Sequence, residues 1–297
     1  MSSGALLLPL LAAFGYACGA IAVKRSLGAG APGSLVNIGC NVVMALFFQI
    51  LWFFPGRMPG PLLLMEPVAC GILFFIGQLC TFRALDSGDV SIAVPMLGLK
   101  VLLVALFSVF LIGKSLPASW WIASVFASAG VALISYSPGG SHRRLAATIG
   151  WSFAAAAVFA LTDVLVQYWV PGIGYTRFAP VMFGTMGAAT VMHLPALFKG
   201  GFCQDARCPA PALSWLTAGA LLLGIQSLGM YSAIGLYGSA AMTNILYGSR
   251  SLWSVLLVWV PGSLVGSLPE RGSRGAVMGR RLAGALMLFA AMALVLR

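Results

Sequence analysis

Lys100 and Arg250 each lie near the centre of a long apolar run, and 150 residues separate them. A cation at the middle of a membrane span costs about 2.5–3.5 kcal/mol on insertion scales, so its presence usually marks a binding site or an ion path. Their surroundings share the register: Gly88 and Gly238, Gly98 and Gly248, and Leu102 and Leu252 are spaced by the same interval. In a chain with 36 glycines such glycine coincidences carry little weight, whereas paired intramembrane cations carry a good deal. Equivalent charges in two halves of one chain point to a central site built at a repeat interface.

The residues around the two cations differ. Tyr247, Arg250, Ser251 and Ser254 follow i, i+3, i+4, i+7 spacing and so share one helix face, a stripe able to line a wet cavity. Lys100 shares its face with Met96, Leu97, Leu103, Val104 and Ser108. Arg250 therefore reads as the firmer anion contact, and Lys100 as a substrate contact or a proton-coupled switch. For either, the bland alternative is a cation satisfied by carbonyls or by an acid. Asp163 is the only acid well inside an apolar run. It can offset one cation and not two, so an ionised trio keeps a net positive charge that a bound anion would neutralise. Asp163 also reads as a proton-coupling acid, or as a plain ion-pair partner for Lys100 or Arg250.

Neutral polar groups fill out the candidate cavity. Asn37 and Asn41 stand one turn apart, Gln78, Gln167 and Gln226 lie in three other runs, and Asn244 precedes Tyr247 by one turn. Asn41, Gln78, Gln226, Asn244, Tyr247 and Ser251 are the candidate substrate contacts beside Lys100 and Arg250, although each polar residue alone also reads as interhelical glue. No nucleophile–base set and no metal-ligand set is legible. The two histidines are His142, between runs, and His193, in a stripe with Met182 and Met186 that reads as packing. Neither a catalytic residue nor a cofactor is expected.

The elements that must position these residues are membrane helices. The chain is 60% hydrophobic and 8% charged, with a mean hydropathy of +0.99, against about 25% charged residues in a soluble domain. Ten runs are long enough to span, roughly 5–23, 33–54, 62–82, 90–112, 118–136, 147–170, 177–198, 212–236, 239–262 and 277–296. In lipid such runs must be helical, because the backbone has to satisfy its own hydrogen bonds. The expected fold is an all-α polytopic membrane protein. Residues 1–145 form one group of five helices and 146–297 a second, in a single membrane domain. An odd number of spans per half makes the halves antiparallel, an inverted repeat. Ala129-Gly130 in the fifth run matches Ala283-Gly284 in the tenth. The first run lacks a basic residue before it and reads as a retained span rather than a leader.

The net charge of +11 comes from 17 basic and 6 acidic residues. Most bases lie between apolar runs, so they read as topology signals and lipid head-group contacts, not as a nucleic-acid surface. Trp120-Trp121, Trp151, Trp169 and Trp215 lie near run ends and read as interfacial anchors. Loops after odd runs carry Lys24, Arg25, Arg83, Arg143, Arg144, Lys199, Arg207, Arg271, Arg274, Arg280 and Arg281, whereas loops after even runs carry Arg57, Lys114 and Arg177. That asymmetry places both termini outside the cytoplasm. Cys18, Cys40, Cys70 and Cys80 fall within apolar runs and act as small hydrophobes. Cys203 and Cys208 share a loop and read either as a small disulfide or as two thiols.

Residues 82–135 resemble the EamA repeat of the drug/metabolite transporter superfamily. Ala84-Leu85, Pro95, Leu116 and Gly130-Val131 carry the likeness, while Lys114 stands where the repeat has an acid. The second half is similar through Ala233, Ser239-Ala240-Ala241 and Ala283-Gly284, with Ile245 where a proline is expected. The resemblance implies ten helices as two inverted five-helix repeats and transport by alternating access. It also implies a cavity lined by spans one, three, four, six, eight and nine. It puts Lys100 and Arg250 on cavity helices, with basic residues there binding anions in relatives that carry phosphorylated metabolites. It also implies termini in the cytoplasm, opposite to the charge count, with Cys203 and Cys208 on the outer side.

The expected function is secondary active transport of a small organic metabolite, anionic or zwitterionic, across the cell (inner) membrane around a central cavity. Its partners are that small-molecule substrate, the bilayer, and either protons or a counter-substrate. No soluble energy-coupling domain is legible. The alternative is a proton-coupled exporter of amphipathic or cationic compounds with Asp163 as coupling site. A channel or an intramembrane enzyme is a remote alternative.

Overall fold

The computed structural model describes residues 3–87, 90–135, 145–199, 209–259 and 275–296. Its regular elements are all helical: α1 (Ser3–Gly28), α2 (Gly33–Phe48) running into a 3-10 turn (Gln49–Phe53), α3 (Met65–Ser87), α4 (Val90–Leu97), α5 (Lys100–Ile112), α6 (Ala118–Ser135), α7 (Leu145–Ile173), α8 (Tyr175–Lys199), α9 (Ala210–Tyr237), α10 (Ala240–Tyr247), α11 (Arg250–Trp259) and α12 (Gly275–Leu296). They follow the ten apolar runs in order. Among the described residues, eight stretches are long and apolar enough to cross a membrane by length and composition. The other two runs are α8, a continuous helix of 25 residues, and the pair α10 and α11. The protein is an all-α, multi-pass integral membrane protein. Side chains such as Phe53, Leu62, Phe110 and Met192 stand exposed on its outside, as lipid contact allows.

The fourth and ninth runs are each divided in the middle. At Gly98-Leu99 the backbone tightens: Gly98 N–H donates to the Pro95 carbonyl at 3.0 Å and Leu99 N–H to that of Met96 at 3.1 Å. At Gly248-Ser249 the same i→i+3 pattern recurs, with Ser249 N–H on Leu246 at 3.1 Å and Ser251 N–H on Gly248 at 3.2 Å. Pro95 favours the first bend because it lacks an amide donor and crowds the preceding turn. The second bend has no proline and forms through Gly248. Both glycines press against another helix. A Cβ on Gly98 would lie 2.9 Å from Val131 of α6, and one on Gly248 3.4 Å from Leu288 of α12. Each bend delivers its cation as the first residue of the next helix, Lys100 opening α5 and Arg250 opening α11.

Three helix pairs pack most extensively: α1 with α9, α6 with α12, and α3 with α7. Small residues let them approach, since without a hydrophobic force between helices in lipid it is close van der Waals contact that drives packing. The Ala129-Gly130 and Ala283-Gly284 segments meet face to face. A Cβ on Gly130 would sit 2.8 Å from the Gly284 carbonyl oxygen, and one on Gly284 would sit 2.7 Å from that of Gly130. Gly284→Ala therefore forces α6 and α12 apart. The expected loss is about 1–3 kcal/mol, as for other overpacked interfaces, read as a lower unfolding temperature in detergent. An unchanged midpoint would show that the crossing relaxes freely.

Cys40 and Cys70 are buried in apolar clusters, and Cys18, Cys40, Cys70 and Cys80 are all unbridged. Met182 and Met186 are fully buried, and the His193 ring meets Phe75 edge-on at 5.8 Å. Arg25 stacks on Trp215 at 4.6 Å and Arg83 on Trp151 at 5.7 Å, pairing bases with aromatic anchors, whereas Trp120 and Trp169 pack on the core. Lys114, the departure from the EamA turn, donates to the carbonyl of Gly238 at 2.5 Å. That carbonyl ends α9, where orphan acceptors and the helix dipole favour a cation. His142, Arg143, Arg144, Cys203, Arg207, Cys208, Arg271 and Arg274 lie outside the described residues.

Candidate functional site

The bends, the α7 register and the α9–α10 turn bring several sequence candidates together. The Lys100 Nζ atom lies 2.7 Å from Asp163 Oδ2. Asn244 Nδ2 donates to the same oxygen at 2.7 Å, and the Tyr231 hydroxyl donates to Oδ1 at 3.1 Å. One carboxylate on α7 thus gathers donors from α5, α9 and α10. Asp163 is 0% exposed and the Lys100 side chain 15%, so a solute could reach the carboxylate only by displacing one of its donors. Phe159, one turn before Asp163, places its ring 5.7 Å from Nζ. Burying this pair is tolerable because its charges and lone pairs are matched by hydrogen bonds.

α10 is tied to α7 a second time. The first amides of a helix lack intrahelical acceptors, and Gln167 Oε1 accepts from the Ala240 N–H at 2.6 Å. Gly238 turns the chain between α9 and α10 with a φ of 59°, in the left-handed region that favours glycine. Asn244 completes its own amide on the Ala240 carbonyl at 3.0 Å.

Arg250 is held differently. Among the described residues it has no carboxylate within ion-pair distance. Its guanidinium carbon lies 4.9 Å from the Tyr16 ring and 4.7 Å from the Tyr247 ring. Those ring centroids are only 6.0 Å apart, with planes at 74°. The rings therefore meet as a corner on one side of the guanidinium and leave its other side free of them. Such contacts contribute about 0.5–2 kcal/mol each, depending on desolvation, and they carry no negative charge. The Tyr247 hydroxyl donates to Gln226 Oε1 at 2.8 Å, and the Gln226 amide donates to Ser227 at 2.7 Å. Ser254 turns back to the Arg250 carbonyl at 2.9 Å. Ser251 is half-buried beside Arg250.

Asn41 and Gln78 sit in a separate polar cluster. Gln78 Nε2 donates to Asn41 Oδ1 at 3.4 Å, and Asn41 Nδ2 donates to the Thr190 hydroxyl at 3.3 Å, joining α3, α2 and α8. Two contributors escaped the sequence reading, Tyr16 and Tyr231. Tyr16 lies midspan on α1 and Tyr231 more than a turn inside the end of α9, whereas membrane tyrosines concentrate at the interfaces. A midspan tyrosine needs a partner for its hydroxyl or a cation for its ring, and that was the available signal.

The arrangement combines a neutralised cation, an unneutralised cation and a polar lining on bent helices of a multi-pass bundle. Comparison with known proteins bears on the family and the fold. A curated relative, the UDP-N-acetylglucosamine/UDP-N-acetylgalactosamine transporter nstp-4 of Caenorhabditis elegans, is 27% identical over 206 residues, covering 62% of this chain and 60% of the relative. The match thus spans about three fifths of that relative's length. A solved crystal structure superposes with a TM-score of 0.74 at 16% identity, over 99% of this chain and 96% of the other, which shows a shared fold. Residues 2–136 match the EamA-like transporter family. Over those residues, just under half of the chain, the protein is similar to that family.

Proposed function

We propose that the protein is a secondary transporter that moves a small organic anion, or a zwitterion presenting its anionic group, across the cell (inner) membrane by alternating access. One observation carries the reading: the site holds two cations and one acid, and the acid is committed to Lys100. Whether the Lys100–Asp163 pair is ionic or shares its proton as two neutral groups, its charge sums to zero. Arg250 then leaves the site at one net positive charge, which a carboxylate or phosphate would balance. A cationic cargo would have to displace a donor from Asp163 and sit beside Arg250, which disfavours the exporter reading.

The packing supports two inverted repeats, residues 1–145 and 146–297. Exchanging each span with the one five places on converts the α1·α9 pair into the α7·α3 pair, and α2·α9 into α8·α3. The α6·α12 pair maps onto itself. The two bends, each against the last span of its own half, obey the same exchange. Rocking of one half against the other around the cations would open the site to alternate sides.

The relative's cargo, a nucleotide sugar, carries a diphosphate and is the first compound to try. In proteoliposomes, counterflow should be saturable for at least one of UDP-N-acetylglucosamine, inorganic phosphate and malate, and absent for choline and tetraphenylphosphonium. Uptake of the cations alone would sink the reading, and currents without saturation would indicate a channel.

A further inference from the structure

We propose that Tyr16 sets the charge selectivity of the site, by being an uncharged ring at the place on α1 that Asp163 holds on α7. The inference rests on the anion-transport reading and says why one negative charge is admitted. Lys100 and Arg250 are counterparts on spans four and nine, and each is met by a residue of the span at the start of the opposite half. For Lys100 that residue is Asp163 of α7, and for Arg250 it is Tyr16 of α1.

The burial pattern is compatible with this register. Advancing α1 by the interval from Tyr16 to Asp163 lays buried Ala5, Pro9, Ala13 and Ala17 on buried Ser152, Ala156, Ala160 and Val164, while buried Ala12 and Ala22 fall on half-buried Phe159 and Trp169. The two half-sites are therefore alike in frame and unlike in one counter-ion. A carboxylate gives Lys100 a full opposite charge. The Tyr16 ring beneath the guanidinium gives Arg250 only quadrupole attraction, which stabilises a cation without cancelling it. Had both positions been acidic, the site would be neutral, and a bound anion would gain no compensation for its lost hydration. With tyrosine, the substrate itself supplies the missing charge.

The test separates charge from shape by comparing Tyr16→Asp with the near-isosteric Tyr16→Asn. In ligand-free protein in detergent, Tyr16→Asp should unfold at a higher temperature than Tyr16→Asn, because a carboxylate now balances Arg250. That difference should vanish when both are placed on Arg250→Gln, a coupling that a merely structural Tyr16 would not produce. In counterflow, using whichever of UDP-N-acetylglucosamine, inorganic phosphate and malate the unsubstituted protein takes up fastest, Tyr16→Asp should run at least tenfold below Tyr16→Asn. Equal midpoints, or equal uptake by the two variants, overturn the role given to Tyr16 and leave the transport reading standing. Absence of uptake of all three anions by the unsubstituted protein overturns the transport reading and this one with it. The midpoints do not depend on any substrate.

Discussion

Arg250→Ala should abolish anion uptake while leaving the protein folded. Truncating one partner of a buried, hydrogen-bonded charge pair typically costs about 2–5 kcal/mol of binding, roughly thirtyfold or more in affinity. Folding loses much less. Arg250 has no carboxylate partner among the described residues, only the rings of Tyr16 and Tyr247. Their attraction is offset by the insertion penalty that the charge no longer incurs. Arg250→Lys should behave almost as badly in uptake. A lysine keeps the charge but lacks the planar face that fits the ring corner and the fork that grips a carboxylate or phosphate with two parallel bonds. The check is counterflow beside a size-exclusion profile and an unfolding midpoint for each variant. Wild-type uptake by Arg250→Ala would remove the anion from this place in the fold, and full rescue by lysine would reduce the residue to a point charge.

Much of this arrangement is legible in the sequence, and for a physical reason. Bilayer thickness fixes span length, so the apolar runs predict the helices to within a few residues. A charge in lipid is costly, so Lys100, Asp163 and Arg250 announce themselves. The bend at Pro95 follows from the missing amide, and the meeting of Gly130 with Gly284 from small residues at matched places. What the sequence hides is the pairing. Asp163 could have met either cation, and only the rotation of α7 against α5 gives it to Lys100. The stripe from Tyr247 to Ser254 predicts one wet face, yet Ser254 spends its hydroxyl on its own backbone. Asn41 and Gln78 look like cavity groups by depth, but α2, α3 and α8 gather them into a cluster of their own with Thr190. Tyr16 lies in apolar surroundings with no local polar pattern, and Tyr231, though near Ser227 and Ser232, meets Asp163 only through the fold, so both roles come from residues distant in sequence.

The Lys100–Asp163 pair should cost more to break than to delete. Asp163→Leu strands Lys100 in the bundle and leaves the Tyr231 hydroxyl and one Asn244 donor without their acceptor. Removing one partner of a buried pair destabilises by about 3–5 kcal/mol, whereas replacing both with apolar side chains is often neutral or stabilising. Lys100→Met with Asp163→Leu should therefore unfold at a higher temperature than Asp163→Leu alone, although Tyr231 and Asn244 still lack a partner in both. The double variant then separates glue from switch. If the pair merely holds α5 to α7, the well-folded double variant transports normally, because Arg250 and its net positive charge are untouched. If the pair opens and closes as the halves rock, the variant binds the anion but cannot turn it over. Saturable binding would persist, with counterflow reduced tenfold or more. The second outcome is expected, since Asp163 draws together α5 from the first half and α9 and α10 from the second. A carboxylate with donors on both sides of the proposed repeat boundary would have to change partners if the halves rock apart.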